Sequence, residues 1–160
     1  GQGTMNNFTF GDEGTYQNYE TICGGAGAGP DYQGTDAIHT HMTNTLATDP
    51  EMLEWRIPVI LESFTIRHGS GGGGRYRGGD GVIRRVLFRK AMTAAIVSSS
   101  RRVAPFGMAG GEPAKVGHNY VERADGTIEE LSATDEAQMR PGDVFVIETP
   151  GGGGYGKPAA

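Results

Sequence analysis

The apolar positions of this sequence come in short runs that are rich in β-branched residues. Residues 58–67 (PVILESFTIR), 81–88 (GVIRRVLF) and 92–98 (MTAAIVS) each have the length and partial alternation of a strand. Residues 143–148 (DVFVIE) follow Pro-Gly and predict another short strand. The hydrophobic pattern therefore predicts a sheet-forming chain.

Two further strand-like segments, residues 118–123 and 127–131, are joined by Ala124-Asp125-Gly126. Asp-Gly between two such segments is a strong signal for a β-hairpin. We therefore expect a mainly β fold, with antiparallel strands and hairpins, glycine-rich turns and one or two short helices, in a barrel-like or sandwich-like arrangement.

A single convincing helix start is present. Thr48-Asp49-Pro50-Glu51 combines a capping residue, a proline suited to the first helical position and an acidic side chain. Because Pro58 stops it, the predicted helix around residues 50–55 is short.

Composition and charge narrow the class of protein. The chain has 160 residues, 28 of them glycine, and a net charge of −5, which argues against nucleic acid as its main partner. It contains no apolar run of eighteen residues, so we expect no membrane span. Its single cysteine excludes an internal disulfide. The first residues, GQGTMNNFTFG, show neither an initiator Met nor a signal peptide, so we expect a fragment of a longer polypeptide.

The most glycine-rich stretch, residues 67–81 (RHGSGGGGRYRGGDG), is formally compatible with a nucleotide-binding motif. A dinucleotide fingerprint requires a following helix, and a Walker loop requires Gly-Lys-Ser/Thr at its end. Here a predicted strand follows, and that ending is missing. A tight β-turn or bulge is the plainer interpretation, and a nest of backbone N–H groups that holds an anion is the alternative.

A second glycine segment, residues 20–29 (ETICGGAGAG), could be a packed turn or could form an oxyanion hole from backbone amides. In the second case Gly24, Gly25 and Gly27 would contact the substrate. Cys23 is a candidate nucleophile, although a lone cysteine often serves as a small buried apolar residue.

Residues 36–45 (DAIHTHMTNT) contain the side chains best suited to catalysis or metal binding. If this segment is a strand, His39 and His41 project from the same face and could share a metal ion, with Asp36 or Asp31 adding oxygen. The two histidines could instead be general acid–base groups, with Asp36 and His39 as catalytic candidates, or hydrogen-bonded structural residues.

Positive charge is concentrated between Arg67 and Lys90, which include seven Arg or Lys residues and one acid, Asp80. The ordinary interpretation of such a segment is a charged surface exposed to water. Arg75 and Arg77 stand two positions apart, so in an extended chain they could bind a substrate carboxylate or an acidic partner.

Five motifs taken together resemble the C-terminal part of the hydantoinase B/oxoprolinase family, and within it the ATP-dependent oxoprolinase branch. They are ETICGGAGAG, DAIHTHMTNT followed by TDPEMLE, LESFTIRHGSGGGGRYRGGDGVIR, APFGMAGGEPAKVG and PGDVFVIETPGGGGYG. The resemblance covers nearly the whole chain, so we interpret residues 1–160 as a single C-terminal hydantoinase B-like domain or fragment.

The resemblance implies a cytoplasmic enzyme that opens the lactam of 5-oxo-L-proline to L-glutamate, although hydantoins and ketones are alternative substrates in the family. It also implies ATP and a divalent metal, Mg or Mn, in the complete enzyme, with no cofactor assigned firmly to this chain. The implied partners are a hydantoinase A-like ATPase part and an upstream hydantoinase B-like segment, and we expect an oligomer. A non-catalytic docking domain is the competing interpretation.

Overall fold

The computed structural model describes residues 1–159 of the chain. Its elements, in order, are β1 (Asn6–Asp12), β2 (Tyr16–Thr21), a 3₁₀ helix (His41–Thr43), α1 (Pro50–Arg56), β3 (Val59–Arg67), β4 (Gly81–Phe88), β5 (Met92–Ser98), β6 (His118–Glu122), β7 (Ile128–Leu131), β8 (Thr134–Met139) and β9 (Val144–Glu148). The predicted mainly β class is confirmed.

The strands form two antiparallel sheets that pack face to face. One sheet has the order β2-β1-β5-β8 and the other the order β3-β4-β9-β6-β7. Aromatic rings fill the space between them: Phe8 lies 4.7 Å from Phe145, and Phe10 lies 5.5 Å from Phe88, measured between ring centroids. The arrangement is therefore a sandwich, with its hydrophobic core between the sheets.

The strands with clear apolar patterns were predicted almost to the residue, whereas β1 and β8 were not predicted. β8 (TDEAQM) has only two buried apolar side chains, Ala137 and Met139. The β6–β7 hairpin forms as expected, and Gly126 at its turn has a φ of 88°. Apolar runs in the sequence therefore do not reveal strands whose outer face is polar.

Helix α1 begins as the sequence predicts. The Asp49 carboxylate accepts a hydrogen bond of 2.9 Å from the backbone N–H of Glu51, and Pro50 occupies the first turn. Leu53 is the buried residue of this helix, and the chain becomes extended at Ile57. No helix within residues 1–159 is long and apolar enough to cross a membrane.

Beside one end of the sandwich, five glycine-rich segments run against each other with few side chains between them. We call this region the glycine bundle; it comprises residues 1–3, 24–34, 69–81, 105–114 and 150–156. Backbone hydrogen bonds join the segments, such as Gly72 N–H to the Gly152 carbonyl at 2.9 Å and Gly79 N–H to the Ala26 carbonyl at 2.8 Å. The backbone itself therefore forms the interior of this region.

Close approach of backbones, more than turn geometry, explains the glycines. A Cβ on Gly78 would lie 1.8 Å from the Gly152 carbonyl oxygen, and a Cβ on Gly152 would lie 1.9 Å from that of Ala26. Among the glycines of residues 67–81, only Gly69 has a positive φ. Residues 67–81 therefore form a packed strap in place of the expected tight turn or bulge. The two ends of this strap, Arg67 and Gly81, pair as neighbours in the second sheet.

The start of that strap does hold an anion on backbone N–H groups, and the anion is the chain's own carboxylate. Gly71 N–H donates to Asp80 at 2.7 Å, and Gly69 N–H donates to the same side chain at 3.2 Å. Asp80 is buried. These two amides are therefore occupied by an internal residue.

Candidate functional site

The segment with the two histidines is not a strand. Ile38 forms a single antiparallel bridge with Gly24. Ala37, just before Ile38, and His41, three residues after it, have positive φ values of 48° and 54°. Left-handed backbone at non-glycine residues is strained and is frequent at functional sites. The expectation that His39 and His41 share the face of a strand is therefore wrong, since His41 begins a 3₁₀ helix.

The Ile38–Gly24 bridge brings His39 next to Cys23. Cys23 precedes Gly24 and His39 follows Ile38, so the antiparallel pairing places the two opposite each other. Both side chains line a cavity of about 170 Å³. Cys23 and His39, two of the three predicted catalytic residues, therefore line the same cavity. His41, a predicted metal ligand, is exposed and does not line it.

A buried ion pair lies in the wall of the same cavity. Arg84 belongs to the inner-facing row of β4, between Val82 and Val86, and Glu20 lies on β2 in the opposite sheet. Their exposed fractions are 1% and 5%, so the pair crosses the interior of the sandwich. We call Glu20, Cys23, His39 and Arg84 the cavity quartet.

The ion pair is only partly satisfied. Arg84 Nη2 donates to Glu20 Oε1 at 2.9 Å and lies 2.8 Å from Oε2. Because Nη2 aligns well with Oε1 alone, Oε2 has a charge contact but no hydrogen bond within the described residues. Arg84 Nε is also without a hydrogen-bond partner there. A buried donor without a hydrogen-bond partner costs about 1–3 kcal/mol, which applies to Arg84 Nε, whereas Glu20 Oε2 keeps its 2.8 Å charge contact with Arg84.

The other two members of the quartet are uncharged at neutral pH. Burial lowers the pKa of His39 below its ordinary value of 6.5, and its Nδ1 atom has no hydrogen-bond partner within the described residues. Burial raises the pKa of Cys23 above 9.0, although a backbone hydrogen bond and the charge of Arg84 oppose the shift. A neutral imidazole can accept a proton, whereas a protonated thiol is a poor nucleophile.

Asp36, the third predicted catalytic residue, belongs to a different cluster. Its carboxylate accepts hydrogen bonds from Arg77 at 3.0 Å and from the backbone N–H of Asp80 at 2.7 Å. Arg77 also contacts the Asp80 carboxylate at 3.0 Å. Arg77 thus bridges two carboxylates of its own chain and ties residues 36 and 80 together.

The sequence of the whole chain fits one known family. The profile of the family described as Hydantoinase B/oxoprolinase matches residues 1–158. This chain belongs to the hydantoinase B/oxoprolinase family. The predicted resemblance is confirmed.

Named relatives of this hydantoinase B family chain include 5-oxoprolinases from several eukaryotes. The 5-oxoprolinase of Dictyostelium discoideum is 47% identical over 156 residues, which cover 98% of this chain and 12% of that protein. The chain spans only 12 to 14% of the length of its 5-oxoprolinase relatives from Dictyostelium, Arabidopsis thaliana and Saccharomyces cerevisiae.

Two solved structures share the fold of this hydantoinase B family chain. An ATP-dependent caprolactamase from Pseudomonas jessenii matches 98% of the chain and 30% of its own length, with a TM-score of 0.71 and 23% identity. A nucleotide-free acetone carboxylase matches 98% of the chain and 26% of its own length, with a TM-score of 0.75 and 19% identity.

The glycines predicted to bind substrate lie inside the glycine bundle. A Cβ at Gly24, Gly25 or Gly27 would collide with neighbouring backbone. The N–H of Gly24 donates to Ile38, and that of Gly25 donates to Pro150. Since these two amides have internal partners, an oxyanion hole would have to use other donors.

The predicted arginine pair also lies away from the cavity quartet. Neither Arg75 nor Arg77 lines the cavity. The exposed Arg75 guanidinium lies 5.6 Å from the centre of the Tyr76 ring, close enough for a cation–π contact. Binding of substrate or partner by Arg75 and Arg77 stays a prediction.

The described residues of this hydantoinase B family chain do not by themselves form a metal centre. Within residues 1–159, no group of three or more His, Cys, Asp or Glu side chains is placed to hold a metal ion. His39 lines the cavity and His41 is exposed, so the two imidazoles have different surroundings. A metal-ligand role for His39 and His41 stays a prediction.

Sequence reasoning missed Glu20 and Arg84, but a signal for Arg84 was available. In GVIRRVLF the inner-facing row is Val82, Arg84, Val86 and Phe88, so one arginine interrupts an apolar face. A charged residue at such a position needs a buried partner or a function. Glu20 could not be paired with it, because the sequence does not show which strands face each other across the sandwich.

Proposed function

We propose that this chain is the C-terminal part of the hydantoinase B-like portion of an ATP-dependent 5-oxoprolinase. In this proposal it takes part in the hydrolytic ring opening of 5-oxo-L-proline to L-glutamate. The observation that carries the proposal is the similarity, at 46 to 47% identity across nearly the whole chain, to proteins named 5-oxoprolinase.

The proposal divides the reaction between two parts of a larger assembly. A hydantoinase A-like part uses ATP, with Mg or Mn, to activate the lactam, and the hydantoinase B-like part hydrolyses the activated ring. The sequence of this chain supports the division, since it has no Walker ending after residues 69–74. We propose that the assembly is an oligomer and that it acts in the cytoplasm.

The cavity quartet offers a base for the hydrolytic step. Ring opening needs a group that takes a proton from water as the water oxygen attacks the carbonyl carbon, and that returns a proton to the nitrogen when the C–N bond breaks. His39 is suited to this role because its imidazole is neutral at pH 7. Cys23 is the alternative, as a nucleophile that would have to lose its proton first.

Glutamate release by the full-length enzyme tests the proposal. Incubation with 5-oxo-L-proline and ATP should produce L-glutamate, whereas the 160-residue chain alone should neither hydrolyse ATP nor open the ring. Glutamate production without ATP, or by the isolated chain, would contradict it. Replacing Cys23 with serine then separates the two chemical roles, because a nucleophilic role predicts loss of turnover and a purely structural role does not.

A second candidate function is docking without catalysis. It is favoured by the internal use of the Gly24 and Gly25 amides and by large apolar side chains left exposed, Leu46 at 99% and Trp55 at 80%. In that case His39→Ala would leave turnover unchanged, and a Trp55→Ala variant would weaken association with the hydantoinase A-like part. The matching part of a hydantoinase or a ketone carboxylase is the third possibility, and substrate trials with hydantoins and ketones distinguish it.

A further inference from the structure

A second cavity, separate from that of the quartet, lies where helix α1 ends. It measures about 320 Å³ and is lined by Trp55 and Arg56 of the helix and by Arg89 and Lys90, which follow β4. A backbone hydrogen bond of 2.9 Å from the Arg89 N–H to the Pro58 carbonyl brings the two segments together. Within residues 1–159 the two cavities share no lining residue. We call this second cavity the α1 groove.

The α1 groove carries positive charge that the chain does not neutralise. Arg56, Arg89 and Lys90 are exposed, and none of the three has a salt-bridge partner among the described residues. Glu54 is the one acid among the described residues that line the groove, and its Oε1 accepts a hydrogen bond of 2.9 Å from the Leu61 N–H. Three cations and one carboxylate leave an excess of positive charge at this surface.

The arginines within the strands are different. Each of Arg67, Arg84 and Arg85 is paired with a glutamate of its own chain. The chain has 19 acidic and 14 basic residues, so the unpaired cations of the α1 groove do not reflect a shortage of acids. An acidic group from outside the chain is therefore attracted to this groove.

The α1 groove also presents a large apolar side chain. Trp55 is 80% exposed, and Met52, three positions earlier on the same side of α1, is 41% exposed. Tyr16 lines the groove as well. Trp, Tyr, Met and Arg are enriched at protein–protein interfaces, and Trp and Arg often contribute most of the binding free energy there. The combination is therefore typical of a surface that binds another protein.

We infer that the α1 groove is an interaction surface for an acidic segment of a protein partner. An apolar side chain of that segment packs on Trp55, and its carboxylates pair with Arg56, Arg89 and Lys90. A nucleic acid is also negative, but a phosphate chain longer than the groove would meet a protein whose net charge is −5. The inference states the chemistry of a partner, and it holds whether or not the chain takes part in catalysis.

Fluorescence of Trp55 measures this binding directly, because Trp55 is the single tryptophan of the chain. The probes are an acidic peptide, EDEFLEDE, a neutral one, QNQFLQNQ, and a basic one, KRKFLKRK. We expect the acidic peptide to bind at least about tenfold more tightly than the neutral one, with a difference that shrinks as salt is added. The basic peptide should not bind. Equal binding of the acidic and neutral peptides overturns the inference, as does tighter binding of a uridine oligonucleotide of equal length.

A charge variant tests the cations. Arg56→Gln together with Arg89→Gln should weaken binding of the acidic peptide about fivefold or more, since each exposed ion pair contributes modestly. The matched control, Arg102→Gln with Lys157→Gln, removes two exposed cations outside the groove and leaves the same net charge. This control should bind the peptide as the unmodified chain does. Equal weakening by the two variants would show attraction to overall charge and would contradict a defined surface.

Trp55→Ala tests the apolar anchor, with anisotropy of the fluorescein-labelled acidic peptide in place of the tryptophan signal. We expect binding at least about tenfold weaker. Phe106→Ala is the control, because it removes an aromatic ring that is 63% exposed and lies outside the groove. Both variants should keep the melting temperature of the unmodified chain, since both side chains are exposed. Unchanged affinity of Trp55→Ala overturns the inference whatever the full-length enzyme releases, so this inference and the proposed function fail independently.

Discussion

The sandwich and the glycine bundle solve the problem of a protein interior in opposite ways. Between the sheets, Phe8, Phe88 and Phe145 are fully buried and fill the space with rings. In the bundle, residues 151–154 are four consecutive buried glycines, and their surroundings are the backbones of other segments. The interior of the sandwich is filled by side chains, whereas the interior of the glycine bundle forms only where side chains are absent.

This difference teaches that burial alone does not predict how a position responds to substitution. A side-chain core loses stability when atoms are removed, because a cavity remains. A backbone core loses stability when atoms are added, because the segments must separate and their hydrogen bonds break. The cavity quartet lies where the two regions meet: Arg84 extends from the sandwich, and Cys23 immediately precedes bundle residues 24–34.

The largest expected effect comes from emptying the sandwich. Phe145→Ala removes a fully buried ring that contacts Phe8 and should lower the free energy of unfolding by about 3–5 kcal/mol. Urea denaturation of the chain measures this change. A loss below about 1 kcal/mol, the range of surface substitutions, would mean that the two sheets do not share a packed core.

The next effect comes from filling the bundle, and two neighbouring glycines provide a matched pair. A Cβ on Gly72 would lie 2.2 Å from the backbone oxygen of Glu112, whereas a Cβ on Gly73 would meet only the movable Glu112 carboxylate. Gly72→Ala should therefore cost about 2–3 kcal/mol and Gly73→Ala less than about 1 kcal/mol. Since neither residue has a positive φ, equal losses in the two melting curves would contradict the close-approach explanation.

A smaller effect is expected at the contacts of Arg77 with Asp36 and Asp80, which we call the arginine clamp. Arg77→Ala removes the partner of Asp36 and of buried Asp80, and we expect a loss of about 1–2 kcal/mol, reduced by the partial exposure of the arginine. Arg75→Ala is the control and should change stability by less than about 0.5 kcal/mol. Chemical denaturation of both variants shows whether Arg77 stabilises the fold or serves binding alone.

The smallest effect is the response of this clamp to acid. Burial raises the pKa of Asp36, but hydrogen bonds from the Asp80 N–H and from Arg77 outweigh it and hold the pKa below its ordinary value of 3.8. The ionised carboxylate therefore contributes stability above that value, and the contribution is lost as the pH falls through the lowered pKa. Between pH 5 and pH 3, the melting temperature should fall less for Asp36→Asn than for the unmodified chain. An identical fall would remove Asp36 from the clamp.

Much of the sandwich could be predicted from the sequence, because β4, β5 and β9 carry apolar patterns that period-two alternation explains. The bundle could not be predicted. Glycine permits a turn, a bulge or a close backbone contact equally well, and only the spatial neighbours of Gly72 and Gly78 identify the last of these.

The candidate site was predicted in part. Cys23 and His39 were found by residue type, although the bridge that unites them depends on the single Ile38–Gly24 pairing, which no periodicity reveals. Arg84 was not predicted, although a charged residue in the otherwise apolar row of β4 indicates a buried partner.

The most direct test of the account compares His39→Ala with His41→Ala in the full-length enzyme. His39 lines the cavity with Cys23, Glu20 and Arg84, whereas His41 is two positions away and exposed. We expect His39→Ala to lower kcat for ATP-dependent glutamate release at least about a hundredfold, the usual contribution of a general base. His41→Ala should leave kcat unchanged. An unchanged kcat for His39→Ala, or equal losses for both variants, would contradict the claim that the cavity quartet is the functional site.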